Sequence, residues 1–430
     1  MRSLIIAIAL IALMGCSRKW NNPVQYQAYP EVPSLSLPAN DGWVIGNGAT
    51  VAWHPSVNAT SYRLQISLSS LFATLVVDDP QVKDTCLFVG ILDTLHTYWW
   101  RVSATNSCDT TVWSEVRYFK PFTPSPSIVY DFSTRDEFWD MKISGDYAYI
   151  ANGDVGLAIF SLSSAPTMTL VSSLSLPNAS SYQLHTRFIV KDAGYVYLLS
   201  VRQDLYPSVS SYLDIIDVSN PMTPISVGRC SLASYPYSLD KIGNYIFVAT
   251  DSIRVIDVSN PLNPSVVTKC DHGYRSMTHS INYLYSTEGS ALYIYNASLP
   301  QAPVYSGYLS LSANIWEIWA KGSHIFASSY SNSLGIIDIS NANSPQIISW
   351  TTPVGAIMEI DISSNYLFCG MSGAMASDPI FKIYDISNLK NLQIVYTDGT
   401  GHCTAMSLYD KYLILYKQNI KQIIFYKVKR

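Results

Sequence analysis

Charged side chains are scarce in this chain: 27 Lys and Arg with 31 Asp and Glu among 430 residues, 13% in all. That is about half the share usual in soluble domains. A net charge of −4 offers no clustered basic surface to displace counterions, which excludes a nucleic-acid partner. Little charge together with 48% apolar residues excludes a disordered chain. Motifs that carry chemistry are missing as well: there is no GxxxxGK[ST], HExxH, CxxC pair or acidic calcium loop. Gly370-Met371-Ser372-Gly373 lacks the G-x-S-x-G spacing of a nucleophile elbow. The seven histidines, at 54, 96, 185, 272, 279, 324 and 402, are scattered. No cofactor, metal ligand set or catalytic residue is expected.

Long hydrophobic runs are also absent, apart from Leu4 to Met14 behind Arg2. Eleven apolar residues are too few to cross a hydrocarbon core of ~30 Å, but they suit the h-region of a signal peptide. The run ends in Leu13-Met14-Gly15-Cys16, which resembles the lipobox of bacterial lipoproteins; an ordinary signal peptide or short anchor is the other reading. The resemblance implies a signal peptide over 1–15, cleavage before Cys16 and lipidation of its thiol. Each acyl CH₂ placed in the bilayer contributes about 0.8 kcal/mol, so several chains hold a protein to the membrane nearly permanently. Ser17 at the next position resembles the outer-membrane sorting pattern. The expected location is therefore the bacterial outer membrane or cell surface, after export. Residues 16–32 are polar and without period, as a tether would be.

From residue 33 to 122 short alternating runs appear: Ala49 to Trp53, Ser61 to Ser67, Cys86 to Val89, Thr97 to Ala104 and Val116 to Phe119. Turn residues separate them at the spacing of an antiparallel sandwich. Trp53, Tyr62, Leu92, Tyr98, Trp100-Arg101-Val102 and Trp113-Ser114 resemble a fibronectin type III domain. That resemblance makes Trp53 the core tryptophan and Leu92 with Tyr98 a tyrosine corner, although His96 stands where Thr is usual. It also places Cys86 and Cys108 near one pole, where export permits a bridge between them. Residues 123–127 carry Pro124 and Pro126 and read as a semi-stiff linker.

What the chain has in abundance is tyrosine, 31 residues, and much of it lies in a repeat over 128–430. Gly145-Asp146-Tyr147-Ala148-Tyr149 returns as Gly194-Tyr195-Val196-Tyr197 and Gly243-Asn244-Tyr245-Ile246-Phe247. Further copies centre on Tyr283, His324, Tyr366 and Tyr412. The seven anchors recur every 38 to 50 residues, the length of a four-stranded propeller blade. A second motif follows: Asp214-Ile215-Ile216-Asp217-Val218-Ser219-Asn220-Pro221 matches Arg254 to Pro261, Gly335 to Asn341 and Lys382 to Asn388. A strand that ends in Asp-x-Ser-Asn can cap its own turn, so these aspartates read as turn formers. This repeat resembles the LVIVD family of bacterial surface proteins, which implies a β-propeller. Seven copies imply seven blades. The last copy lacks its fourth strand, and Ser127 to Asp131 resembles the missing piece, so an N-terminal strand would close the ring and remove exposed edges. The expected fold is all-β: a fibronectin type III-like sandwich followed by a seven-bladed propeller.

Propellers usually bind where the loops entering the innermost strands converge. Eight residues before the anchors stand Trp139, Arg187, Tyr237, Arg275, Trp316, Met358 and Thr404. Aromatic and Arg enrichment is the composition of a binding hot spot, although Trp and Tyr also fill ordinary blade cores. Trp139, Arg187, Tyr237, Arg275 and Trp316 are the candidate ligand contacts. Asp140, Glu317 and Glu359 could serve as acid and base if the fold pairs them. The leading expectation is a non-enzymatic surface protein whose propeller presents a face to a protein or glycan. The alternatives are a propeller hydrolase or lyase acting on glycan or peptide, and a structural envelope component.

Overall fold

A computed structural model describes residues 29–132, 137–176, 184–202, 210–232, 234–352, 355–372 and 379–428. Cys16 and its signal sequence lie outside the described residues. Among the described residues no helix is long and apolar enough to cross a membrane.

The N-terminal module is two facing sheets. One has three strands, with Ala49–Trp53 between Leu35–Leu37 and Cys86–Val89. The other has five, ordered Gly42–Ile45, Arg117–Phe122, Tyr98–Thr105, Ser61–Ser67 and Leu75–Val82. Alternation places Trp53, Tyr62, Leu64, Ile66, Trp100, Val102 and Phe119 in one core. Each such large apolar side chain contributes roughly 1.5–3 kcal/mol by leaving water. The Tyr98 hydroxyl accepts the Asp93 backbone N–H at 2.8 Å, while Leu92 packs in the same core. The expected Cys86–Cys108 bridge is not made; both residues are thiols. Cys86 opens a strand of the three-stranded sheet and its sulfur receives Asn388 Nδ2 at 3.9 Å. Cys108 follows the strand Tyr98–Thr105 of the other sheet, its N–H held by Asn106 Oδ1.

The described residues of the rest of the chain make seven four-stranded antiparallel sheets. Six take their strands in sequence order. The seventh joins Cys403–Tyr409, Tyr412–Lys417 and Gln422–Lys427 to Ser125–Asp131 from the start of the repeat region. The expected 123–127 linker is therefore mostly strand. Pro126 is tolerated because it sits at a register shift on the sheet's outer edge, where no ladder N–H is required of it.

The first strands of successive sheets lie side by side, and Cys403–Tyr409 returns to Phe138–Ser144. Each first strand is the edge of its own ladder, so its outward N–H groups need other partners. Side chains of the preceding sheet supply them. Asp140 Oδ2 accepts Ile189 N at 3.0 Å, Ser238 Oγ accepts Met277 N at 3.1 Å, and Ser276 Oγ accepts Ile318 N at 3.0 Å. Asp361 Oδ2 likewise accepts Leu408 N at 2.9 Å. Thr404 Oγ1 completes the circuit by donating to Phe138 O at 2.7 Å.

The tyrosine repeat fills the space between sheets. Two residues past the seven anchors, Tyr149, Tyr197, Phe247, Tyr285, Phe326, Phe368 and Ile414 are buried. The second motif turns as its composition dictates. Asp217, Asp257, Asp338 and Asp385 accept the N–H two residues on, at 2.8–2.9 Å. Those bonds hold the Asp217, Asp257 and Asp338 carboxyls below the usual range.

The sandwich is seated on the sixth sheet. Ile45 N donates to the Tyr366 hydroxyl at 3.0 Å, and Thr50 N to Asp385 Oδ2 at 3.1 Å. Ile45 packs into the core formed by Phe368, Phe381 and Val395. Gly46 lies at φ +80°, where any Cβ would meet the Val395 carbonyl; only glycine permits that approach.

Candidate functional site

The first strands aim the site through a repeated irregularity. In five of them the ladder skips one residue, namely Trp139, Arg187, Trp316, Met358 and Thr404. A bulge of this kind leaves two successive residues opposite one and re-aims the extra side chain. In the other two sheets Tyr237 and Arg275 come just before the strands, their N–H groups bonded to Ala249 O and Thr287 O. The result is one cavity of about 570 Å³ lined by all seven, within the range of small-ligand sites.

Five of these residues form much of an arc of stacked rings and guanidinium groups at the mouth. The Arg187 guanidinium lies 4.8 Å from the Trp139 ring and 5.6 Å from that of Tyr235. Tyr235 and Tyr237 are 5.3 Å apart. Arg275 follows, 5.0 Å from Tyr237 and 4.9 Å from Trp316. Trp316 meets Tyr330 edge-on at 5.0 Å. Each cation–π contact contributes roughly 0.5–2 kcal/mol depending on desolvation, so the arc is held in place before any ligand arrives. Trp139 Nε1 and Arg187 Nε are buried without a protein acceptor.

Below the mouth the wall is charged. Asp140 pairs with Lys142 at 2.8 Å, and Glu317 and Glu359 line the same cavity. Burial, reinforced by Glu359 and Asp140, pushes the Glu317 carboxyl up to about 8, against the pull of Arg275 and Ser276. Burial also raises Glu359, aided by Asp140 and Asp361 and opposed by Lys142 and a hydrogen bond from Trp319. For Lys142 burial works downward, but Asp140, Glu359 and Glu317 outweigh it and keep the ammonium firmly protonated. The side chain keeps 42% exposure because it lines the open cavity.

Two further polar clusters lie outside the cavity lining. His185 Nε2 is 3.2 Å from Asp154 and its Nδ1 is 4.0 Å from Glu137. Ser372 Oγ meets His402 Nδ1 at 3.1 Å. Among the described residues no group of His, Cys, Asp or Glu is arranged to hold a metal ion. Sequence reasoning did not reach Lys142 or Tyr330. Lys142 was findable, since it follows Asp140 by two along a strand and so shares its face. Tyr330 comes from a loop that carries no repeat signal.

The LVIVD repeat family matches residues 137–175, 206–231, 240–272 and 314–351. No curated protein matches the chain. Among solved structures, one of a mitotic checkpoint complex is similar at 10% identity and TM-score 0.53, over 71% of this chain and 92% of that one. The computationally designed Ika8 protein aligns at 10% identity and TM-score 0.47, over 68% of this chain and 96% of its own. At 10% identity the likeness to the checkpoint-complex structure speaks for the fold alone. The chain carries LVIVD repeats on a propeller-like, all-β fold.

Proposed function

We propose that this is an exported, lipid-anchored surface protein that binds a protein or glycan without transforming it. In this reading the seven sheets are the blades of a β-propeller closed by Ser125–Asp131, and the sandwich is a fibronectin type III-like module that lifts it from the membrane. The anchor rests on Leu13-Met14-Gly15-Cys16, and the sandwich assignment is supported by the Tyr98 corner. The observation that carries the binding function is the arc from Trp139 to Tyr330: flat aromatic faces and guanidinium groups, pre-stacked around one opening. Such groups supply much of the affinity in protein interfaces, and aromatic faces also stack on sugars. Glycan and peptide arrays probed with the full chain, wild type against Trp139→Ala/Trp316→Ala, test it. Loss of the wild-type signals in the double variant is expected; unchanged signals would reject the arc as the binding face. Loss of palmitate label in Cys16→Ala is the matching expectation for the anchor, and undiminished label would reject it.

One observation favours a second reading. Asp140, Glu317 and Glu359 surround a single cavity, and Glu317 is raised to the range of a general acid. A glycan hydrolase or lyase would use such a pair. Turnover of an array-positive glycan by wild type, lost in Glu317→Gln, would establish this reading over simple binding.

A further inference from the structure

Elsewhere in the chain arginines are neutralised. Among the described residues Arg63 pairs with Asp78, Arg117 with Glu115, Arg229 with Asp214 and Arg254 with Asp251, at 2.6–3.1 Å. The two arginines of the arc differ. Arg275 is partly offset by Glu317, on whose carboxyl it acts. Arg187 makes no ion pair among the described residues; it donates from Nη1 to the Tyr235 hydroxyl at 2.5 Å and lies against the Trp139 ring. Two donors of that stacked pair, Arg187 Nε and Trp139 Nε1, have no acceptor from the chain. Buried donors are nearly always satisfied, so neighbouring orphans on one wall of a cavity are donors held ready for an oxygen from outside. Below them the wall carries the opposite sign: among the described residues Asp140, Asp240, Glu317 and Glu359 line the cavity beside a single ammonium, Lys142.

Building on the reading of the axial opening as the binding face, we infer that the arc takes an acidic polysaccharide, one sugar carboxylate seated on Arg187 beside Trp139 and its ring stacked on the aromatic faces. A guanidinium presents paired N–H donors in the plane that a carboxylate matches, and such a charge-assisted pair is what Arg187 lacks within the chain. The Trp139 indole is held by stacking, without a hydrogen bond from its nitrogen, so it can turn to open both donors to the ligand. The wall below selects a sugar over an acidic peptide. Sugar hydroxyls can donate to Asp140 and accept from Lys142, whereas a further peptide carboxylate would meet the carboxyl groups already gathered in the cavity. A uronic acid carries one carboxylate per ring, which keeps a single negative charge at the mouth.

Arrays printed with oligogalacturonate, oligomannuronate and oligoglucuronate, each beside its methyl ester, test this with the full chain, because the ester removes the charge and keeps the sugar. The expected result is binding to at least one acid, with titration giving an affinity at least about tenfold weaker for its ester. Raised salt should weaken the acid and not the ester. Arg187→Gln should bring acid and ester within about twofold of each other. The wild-type comparison of acid with ester needs no variant, so it decides the matter even if Arg187→Gln does not fold. Binding to none of the acids, equal wild-type affinity for acid and ester, or a full preference for the acid in Arg187→Gln would overturn the inference. Tighter binding of triglutamate than of the acidic sugars would overturn it in favour of an acidic peptide. Binding of neutral glycans or peptides alone, lost in Trp139→Ala/Trp316→Ala, would overturn this inference and leave the axial reading standing. Array binding unaffected by that double variant would remove the axial reading beneath it.

Discussion

Asp385 offers a comparison that the repeat itself controls. Like Asp257, it ends a strand and accepts the N–H two residues on at 2.8 Å. Unlike Asp257, its second oxygen accepts Thr50 N from the sandwich at 3.1 Å, and both residues are buried, at 4% and 7% exposure. Replacing Asp257 by Ala removes a turn bond near solvent, a net loss of about 0.5–1.5 kcal/mol. Asp385→Ala loses the same bond and also leaves the Thr50 N–H buried without an acceptor, which costs about 1–3 kcal/mol more. Urea unfolding should therefore show Asp385→Ala destabilised by about 2–4 kcal/mol against about 1 for Asp257→Ala. Hydrogen exchange should show the Thr50 amide losing protection only in the former. Equal shifts in the two variants, with Thr50 still protected, would refute the seating of the sandwich on the sixth sheet.

Two further outcomes are expected. Tyr98→Phe removes the acceptor of Asp93 N and should cost about 0.5–1.5 kcal/mol in a denaturant melt; no change would show that the corner bond adds nothing. Glu317, raised to about 8 by burial and by Glu359 and Asp140, binds its proton more tightly folded than unfolded. Its contribution to stability is therefore lost as pH rises from about 4.5 to about 8. Glu317→Gln should raise the melting temperature at pH 8.5 and leave it unchanged at pH 4, and a drop at pH 8.5 would contradict the charge burial.

The repeat was readable in the sequence because it serves two local demands at once. Alternation buries Tyr149 and its equivalents between sheets, and Asp-x-Ser-Asn caps the turn within four residues. Both are short-range and survive without knowledge of the fold. The ring of residues eight before each anchor was also readable, since register is counted along a strand. The reason it converges was not: the bulges at Trp139, Arg187, Trp316, Met358 and Thr404 turn two successive side chains toward one axis against simple alternation. The seating of the sandwich joins Ile45 to Tyr366 across hundreds of residues, and local pattern carries no trace of such a pairing. The prolines at 124 and 126 misled for a related reason. Proline is compatible with an edge strand at a register shift, and the pairing with Gln422–Lys427 carries the expected strand Ser127 to Asp131 back to Ser125.

On the binding reading proposed above, ligand is held at the axial arc and not on the outer faces of the sheets. Its most direct test is the affinity of the strongest array-positive probe for Arg187→Ala/Arg275→Ala, beside Tyr305→Ala/Tyr308→Ala on the outermost strand of the fourth sheet, where those rings are 46% and 61% exposed. Binding at least about tenfold weaker is expected for the arginine variant, and wild-type binding for the tyrosine variant. Full affinity without the two arginines, or its loss with the outer tyrosines, would contradict it.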